Sequence, residues 1–303
     1  MLNLSSNPML PACREAKRQP NLGLQFPIFF LIFGITMSLT SILVAIPAVI
    51  LIFTSPGSNI ESIINSPTMT LVSLFLTIIT TDGVLIYCLC IEKRSGLSMG
   101  FRKGCFWKSY GKGLLIGTVL LVLCCGIAFL LGGFRVSAPR TLSPVLFLLF
   151  FLGFVIQGSS EEILLRGYFM MSLSNRCSIS WAVGISSVTF SLLHIFNPGF
   201  GLIPFINISL FGLFMGLYVF REGDLWGACA IHSIWNFVQG NILGVQVSGT
   251  GELPTILKFT PVEDMDLLTG GSFGIEGSLI VTAVLLLSSA LTLIPKKNAT
   301  PTV

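Results

Sequence analysis

Eight apolar stretches, each near the ~20 residues a helix needs to cross a bilayer, set the terms on which this 303-residue chain can fold. They lie at about 27–53, 69–91, 114–133, 145–170, 181–196, 202–220, 225–243 and 277–294. In hydrocarbon a segment must pair its own backbone groups, and a helix does so. Charged residues make up 10% of the chain against roughly 25% in a soluble domain, hydrophobic residues make up 53%, and the mean hydropathy is +0.89. That composition leaves little room for a soluble domain. The expected fold class is all-α: a polytopic membrane protein of about eight transmembrane helices. The first stretch begins too late and runs too long for a cleaved signal peptide.

Charge placement predicts the orientation. With the N-terminus inside, the cytoplasmic side receives Arg14, Lys17, Arg18, Lys93, Arg94, Arg102, Lys103, Lys108, Lys112, Arg176, Arg221, Lys296 and Lys297. The outer loops receive only Arg135, Arg140 and Lys258. This is the positive-inside pattern, with an even number of spans and both termini cytoplasmic. The net charge of +4 is then a topology signal, and no nucleic-acid partner is expected. None of the eight cysteines falls in an outer loop, so no structural disulfide is expected.

The chain divides into a basic cytoplasmic tail (1–25), N-terminal transmembrane helices with a basic loop (26–144), a core (145–243), an acidic Gly-rich outer loop (244–276) and a last helix with its tail (277–303). The basic loop from Glu92 to Gly113 carries Phe101, Phe106, Trp107 and Tyr110 and reads as an interfacial segment on anionic lipid. The outer loop, with Glu252, Glu263, Asp264, Asp266 and Glu276, reads as a solvated connector, alone or with a short re-entrant piece. Pro47 is expected to kink the first span, and Gly212-x-x-x-Gly216 and Gly240-x-x-x-Gly244 to allow close helix approach. Asp82, among threonines in the second span, reads as a satisfied structural acid. The chain has no internal repeat, which weakens a reading as a transporter of duplicated halves.

Chemistry concentrates in the core. After the apolar run 145–156 come Glu161, Glu162 and Arg166, three charges that cost energy in a spanning helix and are functional candidates for that reason. Residues four apart share a helix face, so Glu162 can pair with Arg166 while Glu161 points about 100° away. Glu161 then suits a general base that activates water. The chain's only histidines, His194 and His232, lie in the next apolar segments. Phe190 precedes His194 by four residues and Asn236 follows His232 by four. His194 can share the water with Glu161, and His232 and Asn236 suit an oxyanion as two neutral donors. Taken singly, a Glu–Arg pair is as often an assembly lock, and an intramembrane histidine is usually an interhelical hydrogen bond.

In combination and in this order, Glu161-Glu162-x-x-x-Arg166, Phe190-x-x-x-His194 and His232-x-x-x-Asn236 resemble the CPBP family. This is the group of CAAX prenyl endopeptidases and bacteriocin-processing proteases, also called the abortive-infection family. The resemblance spans about 145–243 and implies a four-helix catalytic core and a glutamic endopeptidase. It implies Glu161 as base with His194 assisting, His232 and Asn236 at the oxyanion, and Glu162 and Arg166 as supports. The site is expected between spans four and seven, toward the cytoplasmic side. No cofactor is expected. The alternatives are a zinc protease with Glu161, His194 and His232 as ligands, and a non-enzymatic membrane protein such as an immunity scaffold or proton-coupled carrier. The expected partners are the lipid bilayer and a peptide substrate, either a leader or bacteriocin-like peptide or a CAAX-type C-terminus. The expected location is the cell membrane, or the endoplasmic reticulum membrane in a eukaryote.

Overall fold

The structure, a computed structural model, describes residues 7–54, 59–64, 66–138 and 143–294. Arg140, Lys296 and Lys297 of the charge count lie outside these residues. A short helix α1 (Met9–Arg14) leads into α2 (Leu22–Thr54), α3 (Ile60–Ile64), α4 (Pro67–Leu76) and α5 (Ile78–Ile86), which a π turn extends to Ile91. Then come α6 (Phe106–Leu130), strand β1 (Phe134–Ser137) and α7 (Pro144–Glu162). A π segment, Ile163–Met170, joins α7 to α8 (Met171–Ser174). They are followed by α9 (Ile179–Leu192), α10 (Leu202–Glu222) and α11 (Trp226–Phe237), the last with a π extension, Val238–Ile242. Strand β2 (Lys258–Pro261), α12 (Asp266–Thr269) and α13 (Leu279–Leu293) complete the chain.

All eight expected segments are helical. Among the described residues five runs are long and apolar enough to cross a membrane: Leu22–Thr54, Pro67–Ile91, Phe106–Leu130, Pro144–Ser174 and Leu202–Glu222. α9, α11 and α13 are shorter. The fold is thus that of an all-α polytopic membrane protein, and its outer faces remain apolar where α2 exposes Leu31 and Ile42.

Small residues bring the core helices together. A Cβ on Gly158 of α7 would stand 2.7 Å from the backbone nitrogen of Ser233 on α11. Gly212 and Gly216 pack α10 onto Ser187 and Val183 of α9. Gly113 and Gly117 do the same for α6 against Gly227 and Ile231 of α11. α11 therefore lies between α6 and α7, one element beyond the expected four-helix core.

Several expectations need correction. The third span starts at Phe106, so Trp107, Lys108, Tyr110 and Lys112 form the first turns of α6 and the connecting loop is shorter. In that loop Glu92 and Arg94 are buried. Arg94 donates to Ser172 Oγ and to the carbonyls of Ser98 and Gly167, and it pairs with Glu92 at 3.3 Å. Asp82 is exposed on α5. The N-terminal tail is docked: Asn7 Nδ2 donates to Phe220 O, Cys13 Sγ donates to Met171 O, and Met9 is fully buried.

The loop 244–276 differs most from expectation. β2 pairs antiparallel with β1, Phe134 opposite Pro261 and Ser137 opposite Lys258, so two connections are stitched together at this end of the bundle. Val245, Val247, Phe273 and Ile275 are buried there. The loop is a packed cover.

Candidate active site

α7 and its π continuation supply the charges. Glu162 and Arg166 are fully buried, and Arg166 Nη1 donates to Glu162 Oε1 at 2.9 Å. The pairing survives the change from α to π winding that begins at Ile163; π segments are rare and frequent at functional sites. Arg166 also stacks on the Phe190 ring, 4.6 Å from its centroid, and Gly212 leaves the guanidinium its room. Phe190 thereby acquires a physical role: its ring touches Arg166 on one side and packs edge-on against His194 and His232. Glu161 points elsewhere, with 29% of its side chain exposed, into a cavity.

His232, brought in by the α7–α11 approach at Gly158, stands between the two carboxylates. Its Nδ1 lies 2.9 Å from Glu162 Oε1 and its Nε2 3.7 Å from Glu161 Oε2. Glu162 Oε1 thus receives both Arg166 and His232. This modifies the expected pair of neutral donors. With Nδ1–H given to an ionised Glu162, Nε2 offers a hydrogen only from the doubly protonated ring, and two carboxylates flank the ring to hold that charge.

Asn236 reaches Glu161 indirectly. Its Nδ2 donates to Gln157 Oε1 at 3.0 Å, and Gln157 Nε2 donates to Glu161 Oε1 at 2.5 Å. Gln157 is absent from the sequence-based site. Its signal was an amide one helical turn before Glu161 in an otherwise apolar run. His194 lies past the end of α9, in a turn, with Nδ1 2.9 Å from the carbonyl of Phe190. It lines the same cavity as Glu161 without forming an ion pair with either carboxylate.

The cavity is about 200 Å³, room for several waters, and its wall includes Glu161, His194, His232 and Asn236. The far wall is the loop cover, through Val247, Ser248, Thr250, Leu253 and Glu276. Glu276 was read as one more acid of a solvated connector. Its Oε2 instead accepts from Ser248 N at 2.6 Å and Ser248 Oγ at 2.8 Å. Burial pushes its carboxyl above the usual range, with the Ser248 donors and His194 opposing. A second cleft of about 210 Å³, lined by Phe33, Met37, Thr77 and Thr80, reaches Glu161 and His194 from the flank formed by α2, α4 and α5.

The depth of the site also changes. Glu161 lies about 25 Å along the helix from Pro144 at 1.5 Å per residue, in the later half of its span as expected. The cavity, however, lies against the 244–276 cover, the end assigned to the outside by charge, and no residue of the basic loops lines it.

The fold and site thus define an all-helical, multi-pass membrane protein with a carboxylate–histidine cluster at the wall of an internal cavity. Residues 143–238, from just before α7 to the end of α11, match the family model described as type II CAAX prenyl endopeptidase Rce1-like. That segment, about a third of the chain, is similar to the Rce1-like domain of the CAAX membrane proteases, consistent with the CPBP family. Neither the curated proteins nor the solved structures contain a match to it.

Proposed function

We propose that the protein is an intramembrane glutamic endopeptidase that hydrolyses peptide bonds without a metal ion. The observation that carries the reading is His232 standing between Glu161 and Glu162 at the wall of a cavity that Asn236 and His194 share. Glu161 Oε2 has no hydrogen-bond partner among the described residues and is the acceptor for a proton of the attacking water. His194 steadies that water from across the cavity. As the carbonyl becomes tetrahedral, its oxygen takes hydrogen bonds from Asn236 Nδ2 and from His232 Nε2–H, each such donor being worth about 10²–10³ in rate. Glu161 returns the proton to the departing amine. Glu162, held by Arg166, holds His232 at Nδ1, and Phe190 packs against Arg166.

The substrate is a peptide or protein segment presented at the membrane, with leader or bacteriocin-like peptides and CAAX-type C-termini as the two classes. The opening on the α2–α5 flank supports entry from the lipid side. A zinc reading would need Glu161, His194 and His232 as ligands; among the described residues no three His, Cys, Asp or Glu side chains form a metal-holding group.

The test is a peptide-cleavage screen with the purified full-length protein beside Glu161→Gln. Cleavage by the parent, its loss in the variant and its survival through dialysis against a strong chelator are the expected results. Loss on chelation with recovery on stoichiometric zinc would replace the glutamate mechanism by the metal one.

A further inference from the structure

The cavity wall carries two carboxylates and two imidazoles, and the ring of His232 is already flanked by Glu161 and Glu162. Glu161 and Glu276 both face it, and its wall contains no Lys or Arg among the described residues. Arg166 stands behind the wall, fully buried, its charge taken by Glu162. Glu276 has hydrogen-bond donors in Ser248 and the imidazole of His194 nearby, but no Lys or Arg ion-pair partner among the described residues. Burial by itself favours its neutral form, and a cation brought alongside would favour the carboxylate. Trp235, 1% exposed and also part of the wall, keeps an indole N–H without a partner, a donor suited to a peptide carbonyl.

These features bear on which peptide fits. Trimming three residues from a C-terminus would bring a free carboxylate to within about 10 Å of the cleaved bond, at ~3.3–3.6 Å per extended residue. That charge would meet the carboxylate of Glu276 with no Lys or Arg in the wall to offset it, the charge of His232 being taken up between Glu161 and Glu162. Two like charges about 10 Å apart at an effective dielectric of ~20 shift an equilibrium by roughly tenfold.

Resting on the endopeptidase reading, we propose that this cavity selects peptide segments carrying an ammonium or guanidinium group beside the scissile bond, and that Glu276 is the residue that recognises it. The group comes either from a Lys or Arg side chain or from a free N-terminal amine a few residues upstream. A free C-terminal carboxylate near the bond is disfavoured.

The probe is a mixed-sequence peptide library digested by the purified full-length protein, with cut sites read by mass spectrometry. One half is N-acetylated and C-amidated, and the other carries free termini. Cut sites enriched in Lys and Arg in both halves identify the side chain. Enrichment near free N-termini alone identifies the amine. Either supports the proposal, as does depletion of cuts within three residues of a free C-terminus. For a matched Lys/Gln pair of peptides, Glu276→Gln should lower the Lys:Gln ratio of kcat/KM about tenfold, and Glu276→Asp, which keeps the charge, should retain it. Cutting that depends on Glu161 but shows no cation preference, or a preference unchanged in Glu276→Gln, overturns the proposal and leaves the endopeptidase intact. Absence of any Glu161-dependent cutting overturns both.

Discussion

Glu161 and Glu162 are neighbours in sequence, yet one lines a cavity and the other is sealed against Arg166 and His232. Their substitutions should separate accordingly. Glu162→Gln leaves Arg166 buried without its counter-charge, a loss of about 3–5 kcal/mol for broken buried pairs, and releases His232. Its melting temperature in detergent should fall along with activity, whereas Glu161→Gln should abolish turnover at nearly unchanged stability. The reverse pattern would exchange their roles. Gln157 makes a separate prediction, because it ties the amide of Asn236 to the carboxylate of Glu161. Gln157→Leu should lower kcat up to about a hundredfold through misplacement of both groups, with KM little altered; a change confined to KM would make it a substrate contact. The separation of the carboxylates was legible in the sequence because i, i+4 geometry is local. Glu276 was not, since only the fold of the 244–276 cover brings it 115 residues along the chain to Glu161.

At the level of elements, the segment after α7 is held from outside the core. Arg94 donates to the carbonyl of Gly167 within the π segment and to Ser172 just beyond it, while pairing with Glu92. In sequence Arg94 counted only as one positive charge of a cytoplasmic loop; its tertiary partners lie more than 70 residues away. Burial holds the Glu92 carboxyl above its usual 4.5, with Arg94 and Tyr87 opposing. A carboxyl raised in the folded state lends stability at low pH, and this is lost as pH rises through the folded value. Removing Arg94 removes the main opposing influence and pushes that value further up. Arg94→Gln should therefore be destabilising, and more so at pH 8 than at pH 5, where Glu92 can accept a proton. Equal destabilisation at both, read by thermal unfolding in detergent, would mean that the lost hydrogen bonds alone matter.

For the whole molecule, the docked tail, the Glu92 loop and the α10–α11 turn gather at one end, and the stitched strands and cavity cover at the other. Charge counting assigns the first end to the cytoplasm. In a Cys-free background, a cysteine at exposed Glu263 should react with an impermeant thiol reagent on intact cells, and one at exposed Lys103 only after lysis. The opposite labelling would invert the protein and put the cavity cover on the cytoplasmic side. The order and approximate extent of the helices followed from hydropathy, which is a local property. The end of the bundle at which the cavity lies did not, because it depends on the packing of a 33-residue loop whose own composition is that of a solvated connector. The two openings that meet at Glu161 carry one more consequence. A chain threaded between them would have one half under the polar cover and the other against the hydrocarbon flank at Phe33 and Met37. Cutting at that point would sort the fragments by medium as it made them, one released to water and the other left in the lipid.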